Sequence, residues 1–454
     1  MRLAVICVLV ATFAWFADLP LAQAQTQVQT PPPDAAPSTP VDTVTLPAFE
    51  PTREEATLEA FVDGVVEAHR RGHDTPGVVV SVVKDGRVLF AKGYGFADAP
   101  AGRRADGDGS LFRIGSISKT FVWTAAMMLA DRGLLDLDAD VNDYLKDVEI
   151  PDAFGAPVTM NHLMAHRAGF EDSFGVFTHA DDGGLTLAEA LTQNMPARVF
   201  PPGARTSYSN WGSALAAKVV EDVAGVPYET FLREEILAPL GMTATTLRGP
   251  AAMPEALRAR LSLGHDLEAR RGVEKSYMQL GPYAPAGAMA ASAADMGRWM
   301  RFHLGGGALD GTRLMSPQAH ARMLSRRFND RPDGVDLAHG FIAMPYGGTI
   351  LYGHAGGTAA FLSNMMFSPE LGVGVFVSQN AVNASGLVYE LPALVMGRFL
   401  PGAAPHAGQQ AHTEDLTPYV GSYLLNRRSF KDFEKLFAAS ALAKIGRASC
   451  RERE

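Results

Sequence analysis

The stretch Ser116-Ile117-Ser118-Lys119, running on through Thr120 to Ala130, sets a serine and a lysine three apart at the head of a segment that is apolar nearly all round. Such a segment reads as a buried helix, with Gly133 marking its end. Residues three apart on a helix share a face, so the stem of Lys119 reaches the hydroxyl of Ser116. A serine hydroxyl is a poor nucleophile until a neighbouring base takes its proton, and a lysine becomes such a base when burial lowers its pKa. Alone, the S-x-x-K pattern is weak, since chance supplies it in about one of every two chains of this composition. Ser116 as a helix N-cap and Lys119 as a solvated side chain would satisfy the pattern equally well. The buried setting favours the chemical reading.

Two further constellations follow in order. Tyr208-Ser209-Asn210 places a phenol and a carboxamide two apart, where an extended loop points both at one site. The tyrosine can shuttle a proton if cations stabilise its phenolate, and the asparagine can hold a substrate amide or orient the lysine; a turn around a core tyrosine is the plainer alternative. His354-Ala355-Gly356-Gly357 follows the apolar strand predicted at Thr349 to Tyr352. Glycines at a strand edge let a ligand approach the backbone and leave an N–H for an oxyanion. His354 and Gly356 share a side of that strand, although a histidine at a strand end is often structural.

In this order and at these separations, the three match the motifs of the serine β-lactamase and penicillin-binding-protein superfamily. The chain resembles the class C β-lactamase-related branch, which includes D-alanyl-D-alanine carboxypeptidases, D-aminopeptidases and esterases. Similarity continues through Phe112-Arg113-Ile114-Gly115, His162-Leu163-Met164-Ala165-His166-Arg167-Ala168-Gly169, Phe200-Pro201-Pro202-Gly203, Pro239-Leu240-Gly241-Met242 and Pro285-Ala286-Gly287. The resemblance implies a catalytic set of Ser116 as acylated nucleophile, Lys119 as its proton acceptor and Tyr208 as a second general base. It implies substrate contacts from Asn210, His354 and Gly356, and an oxyanion hole from the backbone N–H groups of Ser116 and Gly357. Each such donor is worth about 3–4 kcal/mol in serine hydrolases. No metal and no cofactor is expected. His354 stands where β-lactamases carry the lysine of K-T-G. A histidine is largely neutral at pH 7 and binds a substrate carboxylate less well than a permanent cation does. That departure shifts the expectation from an efficient β-lactamase towards a peptidase, amidase or esterase.

Composition is that of a soluble globular enzyme or binding protein. The 454 residues are 47% hydrophobic and 20% charged, which excludes a disordered or collagen-like chain. A net charge of −9 and the lack of a Lys/Arg run argue against nucleic acid as a partner; the expected partner is a small-molecule or peptide substrate. Cys7 and Cys450 cannot make a disulfide framework. Strand signals at Gly77 to Val83, Arg87 to Ala91, Ala359 to Phe367 and Gly372 to Ser378 flank a mostly helical stretch over about 112–300. They predict an α+β fold: an antiparallel sheet built from both chain ends, flanked by helices, with a mostly helical insertion at about 130–285, as in the β-lactamase/transpeptidase-like fold.

The ends of the chain carry their own expectations. Residues 1–24 read as a secretory signal, with Arg2, an apolar run from Leu3 to Ala17 and the cleavage signal Ala22-Gln23-Ala24. The expected location is therefore outside the cytoplasm, periplasmic or extracellular. Residues 25–51 read as a Pro-rich tether, 52–400 as the hydrolase domain, 401–414 as a linker, and 415–444 as the start of a truncated C-terminal module. Residues 445–454 resemble a translated sequencing-adapter scar. Membrane association is expected only through an uncleaved signal or a missing C-terminal part.

Competing readings rest on less. His162 and His166, four apart on a predicted helix, invite a metal site, but no H-E-x-x-H pattern accompanies them. Ser385-Gly386 lacks the G-x-S-x-G setting of an α/β-hydrolase elbow. The principal alternative is a catalytically impaired sensor or binding module that kept the fold.

Overall fold

The computed structural model describes residues 53–173, 184–266, 273–275, 278–328, 334–382, 384–400, 421–424, 429–430 and 442–445. The expected signal, tether and linker lie outside the described residues.

The first helix, α1, spans Arg53–Gly72 and buries Leu58, Val62 and Val66 at helical spacing. Strands β1 (Gly77–Lys84) and β2 (Arg87–Asp98) follow. Asp85 and Gly86 join them with φ of 47° and 74°, the left-handed pair that a two-residue hairpin turn requires. With β3 (Arg103–Arg104), β4 (Asp336–Leu337), β5 (Ile342–Tyr346), β6 (Thr349–Gly357), β7 (Leu362–Ser368) and β8 (Val373–Gln379) they form one eight-stranded sheet. Its order is β4-β5-β6-β7-β8-β1-β2-β3, and every pairing is antiparallel. The expected sheet from both chain ends is thus present: Val78 of β1 pairs with Gln379 of β8.

The valine run of β1 is explained by burial on both faces. Val78, Val80 and Val82 pack with Leu58, Val62 and Leu391 on one side, whereas Val79 and Val83 enter the larger core with Phe121 and Trp299 on the other. A central strand covered on both faces has no solvent side, so it reads as a continuous apolar run rather than an alternating one.

Further helices cover the sheet or build the body beside it, among them α2 (Ser118–Asp131), α3 (Met160–Met164), α4 (Leu187–Gln193), α5 (Asn210–Ala224), α6 (Ala293–Leu304), α7 (Pro317–Met323) and α8 (Gly386–Gly397). The middle of the chain is less helical than its composition implies. Long connections separate these helices, and Phe112–Arg113, Ala290–Ala291 and Thr245–Thr246 form a small three-stranded sheet. Proline and glycine clusters such as Phe200-Pro201-Pro202-Gly203 stop helices, and side chains satisfy the exposed backbone instead. Ser292 caps α6, accepting from the Asp295 N–H. Near the C-terminus, Gly421–Leu424 pairs antiparallel with Leu442–Ile445. Ile445, read from sequence as the first residue of the scar, is therefore part of a strand pair. Among the described residues, no helix is long and apolar enough to cross a membrane.

Between α6 and α7 lies a buried imidazole pair, with His303 Nδ1 3.2 Å from His320 Nε2 and the rings of Trp299 and Phe367 against His303. Burial holds His303 well below the usual histidine range, pushes His320 and His339 down to about 4 and His354 to about 3. These groups stay neutral in the fold while the unfolded chain takes up protons below pH 6.5, so stability is full above that value and is lost as pH falls. Each of the last three costs the fold about 2 kcal/mol at pH 5. Thermal denaturation is expected to show a Tm lower by roughly 10 °C at pH 5 than at pH 7. In His320→Gln the fall becomes shallower, and an unchanged slope would show that the pair does not carry the effect.

Candidate active site

Ser116 sits in a 3-10 turn, Gly115–Ile117, that feeds directly into α2. Gly115 adopts φ +55°, and a Cβ there would lie 2.6 Å from the Gly357 nitrogen, so only glycine fits. Ser118 fastens the turn: its hydroxyl donates to the Gly115 carbonyl at 2.7 Å and accepts the Met289 N–H at 3.2 Å. The expected meeting of Ser116 and Lys119 occurs, but the serine lies in the 3-10 turn rather than on the α-helix proper. Residues three apart eclipse in a 3-10 turn, and Lys119 Nζ lies 3.0 Å from Ser116 Oγ. All of α2 from Ser118 to Leu129 is buried, and the Lys119 side chain is wholly enclosed. Nζ also donates to the Ala286 carbonyl.

Tyr208 is buried, with Lys119 Nζ 5.0 Å from its ring centroid. The expectation of an extended loop across Tyr208-Ser209-Asn210 needs correction. Ser209 is the N-cap of α5, its hydroxyl accepting from the Gly212 N–H at 2.9 Å, and Asn210 is the first helical residue. Ser209 competes successfully for the first turn because its oxygen replaces a missing backbone partner. Tyr208 and Asn210 therefore flank a helix start, both buried.

The histidine–glycine motif lies within β6, which runs five residues beyond the predicted Tyr352 end and has β5 and β7 on its two sides. Pairing with β5 stops at Gly353, so His354 to Gly357 ladder with β7 alone and their other side is the expected strand edge. Its glycines serve close approach to another part of the backbone: a Cβ on Gly356 would fall 1.9 Å from the Ile114 oxygen and 3.0 Å from the Ser116 nitrogen. This contact brings the backbone nitrogens of Ser116 and Gly357 together at the nucleophile turn. The His354 ring lies 6.2 Å from that of Tyr208. Its Nδ1–H donates to the Ala355 carbonyl, which leaves Nε2 as an acceptor with no hydrogen-bond partner among the described residues. Burial, helped by the Lys119 charge, keeps the imidazole neutral.

Thus Ser116, Lys119, Tyr208, His354, Gly356 and Gly357 converge, and Asn210 stands two residues beyond Tyr208. The pairing of His162 with His166 does not survive. Helix α3 ends at Met164, His162 closes a capping box with Thr159, and His166 lies outside the helix at φ +51°. Among the described residues no group of three potential ligands is placed to hold a metal ion. Sequence reasoning assigned no contact to Ala286, whose carbonyl holds the lysine. The quoted Pro285-Ala286-Gly287 was the available signal, but a backbone acceptor has no side-chain signature.

Comparison with known proteins identifies the family. The family model described as Beta-lactamase matches residues 62–396. Penicillin-binding protein 4 of Amycolatopsis lactamdurans is 28% identical over 379 residues, covering 79% of this chain and 95% of that protein. Esterase EstB of Burkholderia gladioli is 31% identical over 216 residues, covering 44% of this chain and 55% of the esterase. Among solved structures, the octameric penicillin-binding protein homologue from Pyrococcus abyssi superposes with a TM-score of 0.65 at 25% identity, covering 75% of this chain and 77% of that one. With an antiparallel sheet flanked by helices, a serine–lysine pair at the head of a buried helix and a glycine strand across it, this chain belongs to the beta-lactamase family of serine hydrolases.

Proposed function

We propose that the protein is an exported hydrolase, periplasmic or extracellular, that cleaves an amide or ester through an acyl-enzyme on Ser116. The observation that carries this reading is the 3.0 Å contact between Ser116 Oγ and the wholly buried Lys119 ammonium. In the neutral form, Lys119 takes the hydroxyl proton as Oγ bonds to the substrate carbonyl carbon. The resulting oxyanion is held by the Ser116 and Gly357 N–H groups. The C–N or C–O bond then breaks as the proton held by Lys119 passes through Tyr208 to the departing amine or alcohol. Water attacks the ester on Ser116, and the same groups run in reverse to release the acid.

His354 bears on the substrate. A neutral imidazole presenting Nε2 as an acceptor suits a substrate N–H or O–H better than a carboxylate. A D-amino-acid peptide or small ester fits this better than a penicillin, and efficient lactam turnover is not expected. The name of the Burkholderia relative makes an ester a sensible first substrate.

A fluorophosphonate probe tests the proposal directly. Incubation should give one covalent adduct per chain, mapped by mass spectrometry to the peptide carrying Ser116, together with loss of p-nitrophenyl butyrate hydrolysis. An adduct on another serine, or turnover that survives complete labelling, would overturn it.

A further inference from the structure

The wall that carries Tyr208 is gripped by two consecutive residues outside the set named so far. Arg167 takes the nearer part: its carbonyl accepts the Gly203 N–H at 2.8 Å, and its guanidinium donates to the Gly203 carbonyl and the Thr206 hydroxyl. His166 takes the rest. Its carbonyl accepts the Ser207 N–H at 2.7 Å, and its ring Nδ1 accepts the Ser209 N–H at 3.2 Å. The residues immediately before and after Tyr208 thus both donate to one histidine.

The same imidazole lies on Tyr208 itself, with ring centroids 4.2 Å apart. On another side it meets Trp123 edge-on at 5.9 Å, and Trp123 belongs to α2, the helix that also holds Lys119. His166 is 2% exposed and sits at φ +51°, a conformation that costs most residues energy. Strain of this kind persists only where the surroundings require it. Here it turns both the carbonyl and the ring of one residue towards the 207–209 backbone.

Building on the acyl-serine reading, we infer that His166 is the positioning residue for Tyr208. Its acceptor Nδ1 and its carbonyl fix the backbone on both sides of the tyrosine, and its ring supports the phenol at a set distance from Lys119. Lys119, His354 and His166 all face Tyr208. A base displaced by about 1 Å can cost about 100-fold in rate.

The test uses the full chain and p-nitrophenyl butyrate. His166→Gly keeps the left-handed backbone and the carbonyl but removes the acceptor and the ring. His166→Asn tolerates the same φ and returns an acceptor oxygen near the Nδ1 position. The expected results are a kcat about 100-fold lower in His166→Gly with KM changed less than about twofold, and recovery of at least about tenfold of that loss in His166→Asn. In a Tyr208→Phe background, His166→Gly should cost less than about threefold more, because its effect passes through the tyrosine. Equal losses in the two backgrounds, equal losses in Gly and Asn variants, or a His166→Gly chain that does not fold would each overturn the inference. In that last case the histidine would be holding the fold and not the tyrosine. Ser116→Ala in the same assay keeps the two readings apart, since turnover in that variant would defeat the acyl-serine mechanism whatever His166 does.

Discussion

Arginine in place of Lys119 lowers ester hydrolysis by at least about 1,000-fold. The substitution keeps a positive charge and a long apolar stem, so a lysine serving only as an electrostatic contact would be replaced with little loss. A guanidinium cannot give up its proton in a protein and therefore cannot receive the one on Ser116. The wider group would also have to share the space occupied by the Ala286 carbonyl contact. Lys119→Met, which removes the charge and keeps the volume, is expected to fail to a similar degree. Steady-state kinetics beside Ser116→Ala checks the result. A Lys119→Arg enzyme within tenfold of native kcat would show that another group takes the serine proton.

The second large effect is expected at a residue with no side chain. In Gly356→Ala the new methyl would fall 1.9 Å from the Ile114 oxygen. Either β6 or the Gly115–Ile117 turn must then retreat, and with it the register between the Ser116 and Gly357 nitrogens. Loss of one oxyanion donor costs about 100- to 1,000-fold in kcat, and the alanine enzyme should show at least that loss with slower fluorophosphonate labelling of Ser116. Gly64→Ala is the matched control. It lies on α1 with nothing within 4 Å of the added carbon, so activity should be unchanged and stability slightly raised, by about 0.5–1 kcal/mol. Full activity in Gly356→Ala would mean that the backbone crossing does not define the reactive corner.

The parts of the fold legible in the sequence are those with a local cause. Asp85-Gly86 specifies its hairpin through two left-handed residues, Ser292 specifies a helix start through its hydroxyl, and the all-round apolar surface of α2 specifies burial. Ser116 and Lys119 were readable as neighbours because three-residue spacing brings them together in either kind of helix. The misreadings have a shared origin in tertiary context. The strand looked as if it ended at Tyr352 because glycines weaken strand propensity, yet pairing to β7 carries it through to Gly357. Ser209 turned a presumed loop into a helix start, an outcome decided by a single hydroxyl. His162 and His166 seemed to share a helix because nothing local announces that a histidine will adopt a positive φ. Ala286 was silent because its contribution is a carbonyl.

The ladder between β1 and β8 joins residues near the two ends of the domain, Val78 opposite Gln379. Bringing such distant segments together carries a large entropic cost and makes assembly slow. The strand that crosses the serine turn is also among the last parts of the domain to be synthesised. A growing chain therefore has its serine and lysine long before it has the glycines that complete the oxyanion corner. Under the proposed acyl-serine mechanism, hydrolytic competence would therefore arrive only with closure of the sheet.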